Sequence, residues 1–239
     1  IYSEYGNLSG KGHVMVNLGW VASILGDYPG AMNYYEQALV ISLQIGNRRE
    51  SMYTYVNLSS TASTQNLVND ALKWAHTALD LSVKMEDPIG EAWAYYSLGL
   101  AELKDQQFDK AVRSFTKSIE IRSVLNTLPL INETRAGLVN AYWELGDQMS
   151  AEKEAEQIIQ YMEKDKSFEG AEEPLRIHLA LYDHLSKLKD PRATVVLQNA
   201  NHLLNTQVSK LRSNEARRMF VENVPWRRAI ALAAKKYGL

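Results

Sequence analysis

The sequence contains no cysteine, which excludes disulfides, thiolate zinc sites and a cysteine nucleophile. Only six prolines and 13 glycines interrupt its 239 residues, and so small a supply of chain breakers favours helix. No apolar run approaches the roughly 18 residues that a membrane span needs. Neither charge dominates: 26 basic residues against 28 acidic ones leave a net charge of −2, which gives no global case for nucleic acid. The first residues, IYSEYGNLSGKGH, lack the charged start and apolar core of a signal peptide. The sequence opens on Ile1 rather than Met, and is read as a piece of a longer polypeptide or a processed product.

Motifs of catalysis are also missing. Gly6–Gly12 superficially suggests a phosphate-binding loop. It has three residues between its glycines where four are needed, no Ser or Thr after Lys11, and no apolar strand before it. A flexible leader is the expectation there. The five histidines, at 13, 76, 178, 184 and 202, fall in no metal-ligand spacing. No G-x-S-x-G elbow occurs. Glu152, Glu154 and Glu156 read as a solvated helix face. The chain is therefore expected to be no enzyme and to hold no cofactor or metal.

What is present is a repeat. Ala31, Ala71, Ala111 and Ala151 follow one another at steps of 40, as do Leu18, Leu58, Leu98 and Leu138. Ala38, Ala78 and Ser118 keep a small residue at the same step until Ile158 breaks it. Each unit reads as two amphipathic helices, the first pair having Val14, Leu18, Val21 and Leu25, then Tyr28, Ala31, Tyr35, Ala38 and Ile41 on its apolar faces. Gly26 suits a left-handed helix end, and Asp27 can cap the next helix. Glycine inside a helix costs roughly 1 kcal/mol against alanine, so Gly19 needs a reason. Close packing against the alanine row of the second helix supplies one. Val139 interrupts the series Gly19, Ser59, Gly99, so the fourth unit should pack differently.

The pattern N-L-G followed by G-D-Y-x-x-A-x-x-Y-Y-x-x-A-L, from Asn17 to Leu39, resembles the tetratricopeptide repeat, in a long 40-residue variety found in bacterial regulators. The resemblance implies an all-α, right-handed superhelical solenoid of antiparallel helix pairs with a helical C-terminal cap. The expected organisation is a leader at 1–11, four helix pairs over 12–170, a divergent fifth pair over 171–222, and a capping helix at 223–239. Val196 to Phe220 reads as one long helix, and Pro225 as the start of the last. Residues 207–239 carry eight basic and two acidic side chains. That surface admits nucleic acid or an acidic partner, but no aromatic or glycine-rich nucleic-acid signature accompanies it.

In this family the first helix of each pair lines a concave groove where partners bind. The resemblance then picks out Asn17, Trp20, Tyr53, Asn57, Trp93, Tyr96 and Asn140 as groove candidates, with His13 and Glu133 on the same rows. The asparagines can both donate to and accept from a peptide backbone. Equally, they can satisfy the array's own backbone. Of the positions where relatives grip a terminal carboxylate, here Val16, Trp20, Asn57, Trp93 and Ser97, only Asn57 fits that chemistry. The implied function is non-catalytic protein or peptide recognition, as the regulatory or docking part of a larger cytoplasmic bacterial signalling or transcription protein. The partner would be a protein, a peptide or another domain of the parent chain, with no membrane. The alternative is a scaffold that assembles its parent into a homo-oligomer.

Overall fold

Twelve helices form among the described residues, 7–164 and 168–239 of a computed structural model. They are α1 (Leu8–Leu25), α2 (Tyr28–Gln44), α3 (Arg48–Thr64), α4 (Val68–Lys84), α5 (Pro88–Lys104), α6 (Phe108–Val124), α7 (Leu128–Glu144), α8 (Gln148–Met162), α9 (Pro174–Lys187), α10 (Arg192–Ser209), α11 (Asn214–Glu222) and α12 (Pro225–Lys236). Among these residues the only β-type pairing is an isolated bridge between Glu169 and Ala171. The protein is all-α, built from antiparallel helix pairs. It divides into two compact units, Ile1–Ile121 and Arg122–Leu239.

The turns set the spacing. Residues 26, 46, 66, 86, 106, 126 and 146 all have positive φ, between 52° and 79°, so a left-handed residue recurs every 20 positions. Glycine occupies three of these places; Asn66, Glu86, Gln106 and Asn126 take the conformation without that help. At each turn the next residue donates its N–H five residues back, as Asp27 does to Ala22 O at 2.9 Å and Asn47 to Ser42 O at 2.8 Å. That is the Schellman closure of one helix. The same residue is the N-cap of the following helix: Asp27 accepts from Gly30 N at 3.0 Å, and Asp87 from Gly90 N at 3.0 Å. α2 through α7 consequently have 17 residues each. The 40-residue repeat is two 20-residue halves. Of the expected leader, residues 1–6 lie outside the described residues, and from Leu8 the chain is helix, with Asn7 capping it through Gly10 N at 2.9 Å.

In the first unit the alanine rows are fully buried: Ala31, Ala38, Ala71, Ala78 and Ala111. What fills the space beside Gly19, however, is the ring of Tyr35 rather than the alanine row. A Cβ built at Gly19 would sit 2.6 Å from that ring, and one at Gly99 would sit 2.7 Å from the ring of Phe115. Forty residues on from Tyr35 stands Ala75, and there the glycine position holds Ser59, whose Oγ donates to Ala71 O at 2.9 Å. Bulk on one helix is matched by its absence on the other. In the second unit Val139 and Ala155, the corresponding residues, share one buried cluster, so the bulk has moved to the first helix.

The second unit departs from the repeat after α8. Phe168 is buried and stacks on Tyr161 with ring centroids 5.5 Å apart. The single long helix expected from Val196 to Phe220 is two helices. α10 ends at Ser209, and Ser213 starts α11 by accepting from Ala216 N at 3.0 Å. The serine offers the backbone a partner that continuing helix would not, and the bend lets Phe220 turn inward to a buried position. Pro225 opens α12, where its missing N–H is no loss. Glu173 then fastens α12. Its carboxylate accepts from Trp226 Nε1 at 3.0 Å and from the buried Arg227 at 2.7 Å, while Arg227 lies over the Phe220 ring. Part of the basic tail is thus structural.

Two buried histidines sit in this unit. His178 Nδ1 lies 2.9 Å from Pro174 O. His184 packs edge-on to Trp143 with centroids 5.5 Å apart, and neither of its ring nitrogens has a hydrogen-bond partner among the described residues. Burial lowers the pKa of His184; Glu152 and Asp190 oppose the shift and Lys187 adds to it.

Two predictions follow from the packing and the histidine. Gly99→Ser should cost roughly 1–3 kcal/mol through overpacking, and Phe115→Ala about 3–5 kcal/mol. The double variant, which recreates the Ser59–Ala75 combination, should fall short of their sum by about 1 kcal/mol or more in urea unfolding. For His184, the folded-state pKa lies below the unfolded value of about 6.5, so the folded state binds the proton less readily. Its contribution is complete above that pH and is lost as pH falls. Relative to His184→Phe, the parent's urea midpoint should therefore drop between about pH 7.5 and 5.5, which isolates the histidine from Glu172, whose pKa, raised to about 7, acts with the opposite sign.

Candidate functional site

The first helices of the pairs carry the residues singled out by sequence, and in the first unit α1 and α3 bring two of them together. A cleft of about 310 Å³ is lined by His13, Val16 and Asn17 of α1, and by Asn47, Arg49, Glu50 and Tyr53 at the start of α3. The turn before α3 builds its polar wall. Asn47 caps the helix by accepting from Glu50 N at 3.2 Å, and its Nδ2 donates to Glu50 Oε2 at 2.8 Å, so the two side chains hold each other. Glu50 is held buried as a result. Its second oxygen, Oε1, is buried with no hydrogen bond, and it lies 3.5 Å from His13 Nδ1. Gly12 is what admits this carboxylate: a Cβ there would stand 2.9 Å from Oε1.

The cation of the cleft is already engaged. Arg49 Nε lies 3.2 Å from Asp87 Oδ2. Burial pushes the Tyr53 pKa up, the Asp87 charge adds to this, and Arg49 opposes it. What remains open is the side-chain amide of Asn17, beside the buried carboxylate of Glu50. Asn17 is exposed and Asn57 half-buried, and neither makes a hydrogen bond among the described residues. The array's own backbone therefore does not use these amides. Asparagine offers a donor and an acceptor side by side, which matches the alternating groups of an extended peptide.

The other candidates divide. Trp20 is exposed on α1. Trp93 is half-buried and, with Tyr53, packs against the cluster of Met52, Val56, Ala78 and Ala94. Tyr96 is not a surface group. It is buried between Trp93 and Phe115, each 6.0 Å away between ring centroids, and presents no face to a ligand. Ser97 is likewise buried, with Oγ on Ala94 O at 3.0 Å. In the second unit Asn140 is half-buried on α7 without a hydrogen bond among the described residues. Glu133, on the same helix, is covered by its own chain: its carboxylate accepts from the backbone N–H groups of Glu172 at 3.0 Å and Glu173 at 3.2 Å. Burial raises its pKa, against the pull of Arg176 and Arg122.

Sequence reasoning missed Asn47, Arg49, Glu50 and Gly12. The signal was available in Asn47-x-x-Glu50, a capping pair placed where one helix ends and the next begins. Among the described residues no group of three His, Cys, Asp or Glu is placed to hold a metal ion, and no helix is long and apolar enough to cross a membrane.

Comparison with known proteins gives the following likenesses. Residues 13–45 and residues 94–124 each match a family model described as tetratricopeptide repeat. No curated protein sequence matches the chain. Among solved structures, the apo form of RapI is similar with a TM-score of 0.63 at 15% identity, over 95% of this chain and 82% of that one. A Podosopora anserina protein of kinesin light chain type, with nearly identical TPR-like repeats, is similar with a TM-score of 0.59 at 15% identity, over 84% of this chain and 97% of that one. A Rap protein complexed with Competence and Sporulation Factor is similar with a TM-score of 0.65 at 16% identity, over 96% of this chain and 64% of that one. At such identities these structures speak for the fold. The chain thus carries tetratricopeptide-repeat segments within a fold that known tetratricopeptide-like solenoids share.

Proposed function

We propose that this chain is a non-catalytic recognition module that binds an extended peptide or a protein segment along the first helices of its pairs. The observation that carries this reading is the cleft between α1 and α3, where the exposed side-chain amide of Asn17 makes no hydrogen bond among the described residues. Asn57, Trp93 and the exposed Trp20 extend the surface with a further amide and two large aromatic side chains, the residue types that dominate recognition energetics. Asn140 would serve the same role on α7.

Support for a peptide ligand also comes from fold likeness, since the similar Rap protein was crystallised with Competence and Sporulation Factor. On this reading the chain is the regulatory or docking part of a larger cytoplasmic bacterial signalling or transcription protein.

A peptide selected from a random display library against the full chain provides the probe. Its affinity should fall about tenfold or more on Asn17→Ala, a change at an exposed position that leaves stability within about 0.5 kcal/mol. Glu36→Ala, on the exposed side of α2, should leave affinity unchanged. Equal binding by the Asn17 variant and the parent, measured by fluorescence anisotropy, would refute the cleft as the site.

A further inference from the structure

One face of α1 is apolar and open. Val14 is 40% exposed, Leu18 40% and Val21 46%. With about 100° between successive helix residues, these three lie along one line of α1, on a different side from the cleft residues His13 and Val16. The residues at the same repeat positions are Thr54, Leu58 and Thr61 in α3, Ala94, Leu98 and Ala101 in α5, and Thr134, Leu138 and Ala141 in α7. All nine are between 0% and 4% exposed.

What covers them in the first unit is also visible. Leu58 shares a buried cluster with Ala31 and Tyr35 of α2. Ala94 does so with Ala78 of α4, and Ala101 with Ala71 of α4. This face of a first helix is the one that the second helix of the pair before it fills with small side chains. A helix meant to end the array would carry a polar outer face. α1 has the opposite: its Val14 and Val21 are more apolar than the threonines at the same places in α3.

We infer that the Val14–Leu18–Val21 face of α1 is a docking surface for a further helix, placed before α1 in the same polypeptide and presenting a row of small residues of the kind seen on α2 and α4. A second copy of the chain is the weaker occupant. Three side chains on one helix fall well short of the ~800 Å² per partner that a stable interface uses. A helix tethered in the same chain avoids most of the association cost.

The test uses the full chain and a lengthened version. Asn7 and Asp87 are both N-caps and lie 80 residues apart, so a copy of residues 48–87 inserted between Asn7 and Leu8 places a helix pair before α1 in phase. Amide exchange across Val14–Val21 should slow by about tenfold or more in the lengthened chain. Leu18→Asp should lower its Tm by about 4 °C or more, against about 1 °C in the chain without the insert. Unchanged exchange, or an equal loss of Tm in both backgrounds, overturns the inference. If the substituted long chain does not fold, the exchange comparison on the unsubstituted one decides alone. Sedimentation of the original chain at about 100 µM should show a monomer; a dimer abolished by Leu18→Asp would assign the face to a second copy and overturn the inference too.

Discussion

A left-handed residue every 20 positions is the constraint on which the structure depends. At each such turn one residue closes the helix behind it through its N–H and, as an N-cap, opens the helix ahead. Loops of this economy leave no slack, so the azimuth at which each helix begins is inherited from the one before. The small residues at steps of 40 all reach the interior for that reason. The αL conformation costs about 1–2 kcal/mol at a residue other than glycine. Asn66, Glu86, Gln106 and Asn126 nonetheless adopt it, which shows how strongly the packed helices on either side dictate the turn.

The candidate site is a by-product of the same device. Asn47 is there to start α3, and in doing so it draws the Glu50 carboxylate under the surface, where Gly12 leaves room for it. Arg49 is balanced by Asp87, so the electrostatic character of the cleft is set by an acceptor rather than by a cation. Glu133 on α7 is the counterpart of Tyr53 two repeats on. There the chain's own backbone at Glu172 and Glu173 supplies the N–H groups. That intramolecular contact illustrates what a peptide backbone can do for a buried carboxylate on a first helix.

Much of this was legible in the sequence because small residues at a fixed step can have only a packing reason. Gly26 and Asp27 were read correctly, since a helix end and a cap are local matters settled within a few residues. The partner of Gly19 was not, because nothing near it names Tyr35, 16 residues away on the facing helix. The break at Ser213 was hidden by apolar spacing that runs on through both α10 and α11. Register alone places Tyr96 in the groove, yet the glycine at position 99 admits Phe115, whose ring walls Tyr96 in. The cleft itself escaped notice because its lining comes from a turn and two helices, and the half-length period that aligns them is invisible to a comparison of whole repeats.

The alternation of bulk has a consequence for how such a chain finds its partners while folding. Repeats of similar sequence risk pairing out of order, and that is a characteristic failure of tandem arrays. Here the wrong combinations do not fit. α3 with its Ser59 cannot accept the Tyr35 ring that Gly19 accommodates without a shift, and α1 set against α4 would leave a void beside Ala75 where a ring should be. Glycine facing an aromatic ring, and serine facing alanine, act as an address written in side-chain volume: each helix recognises its own neighbour among several near-identical candidates.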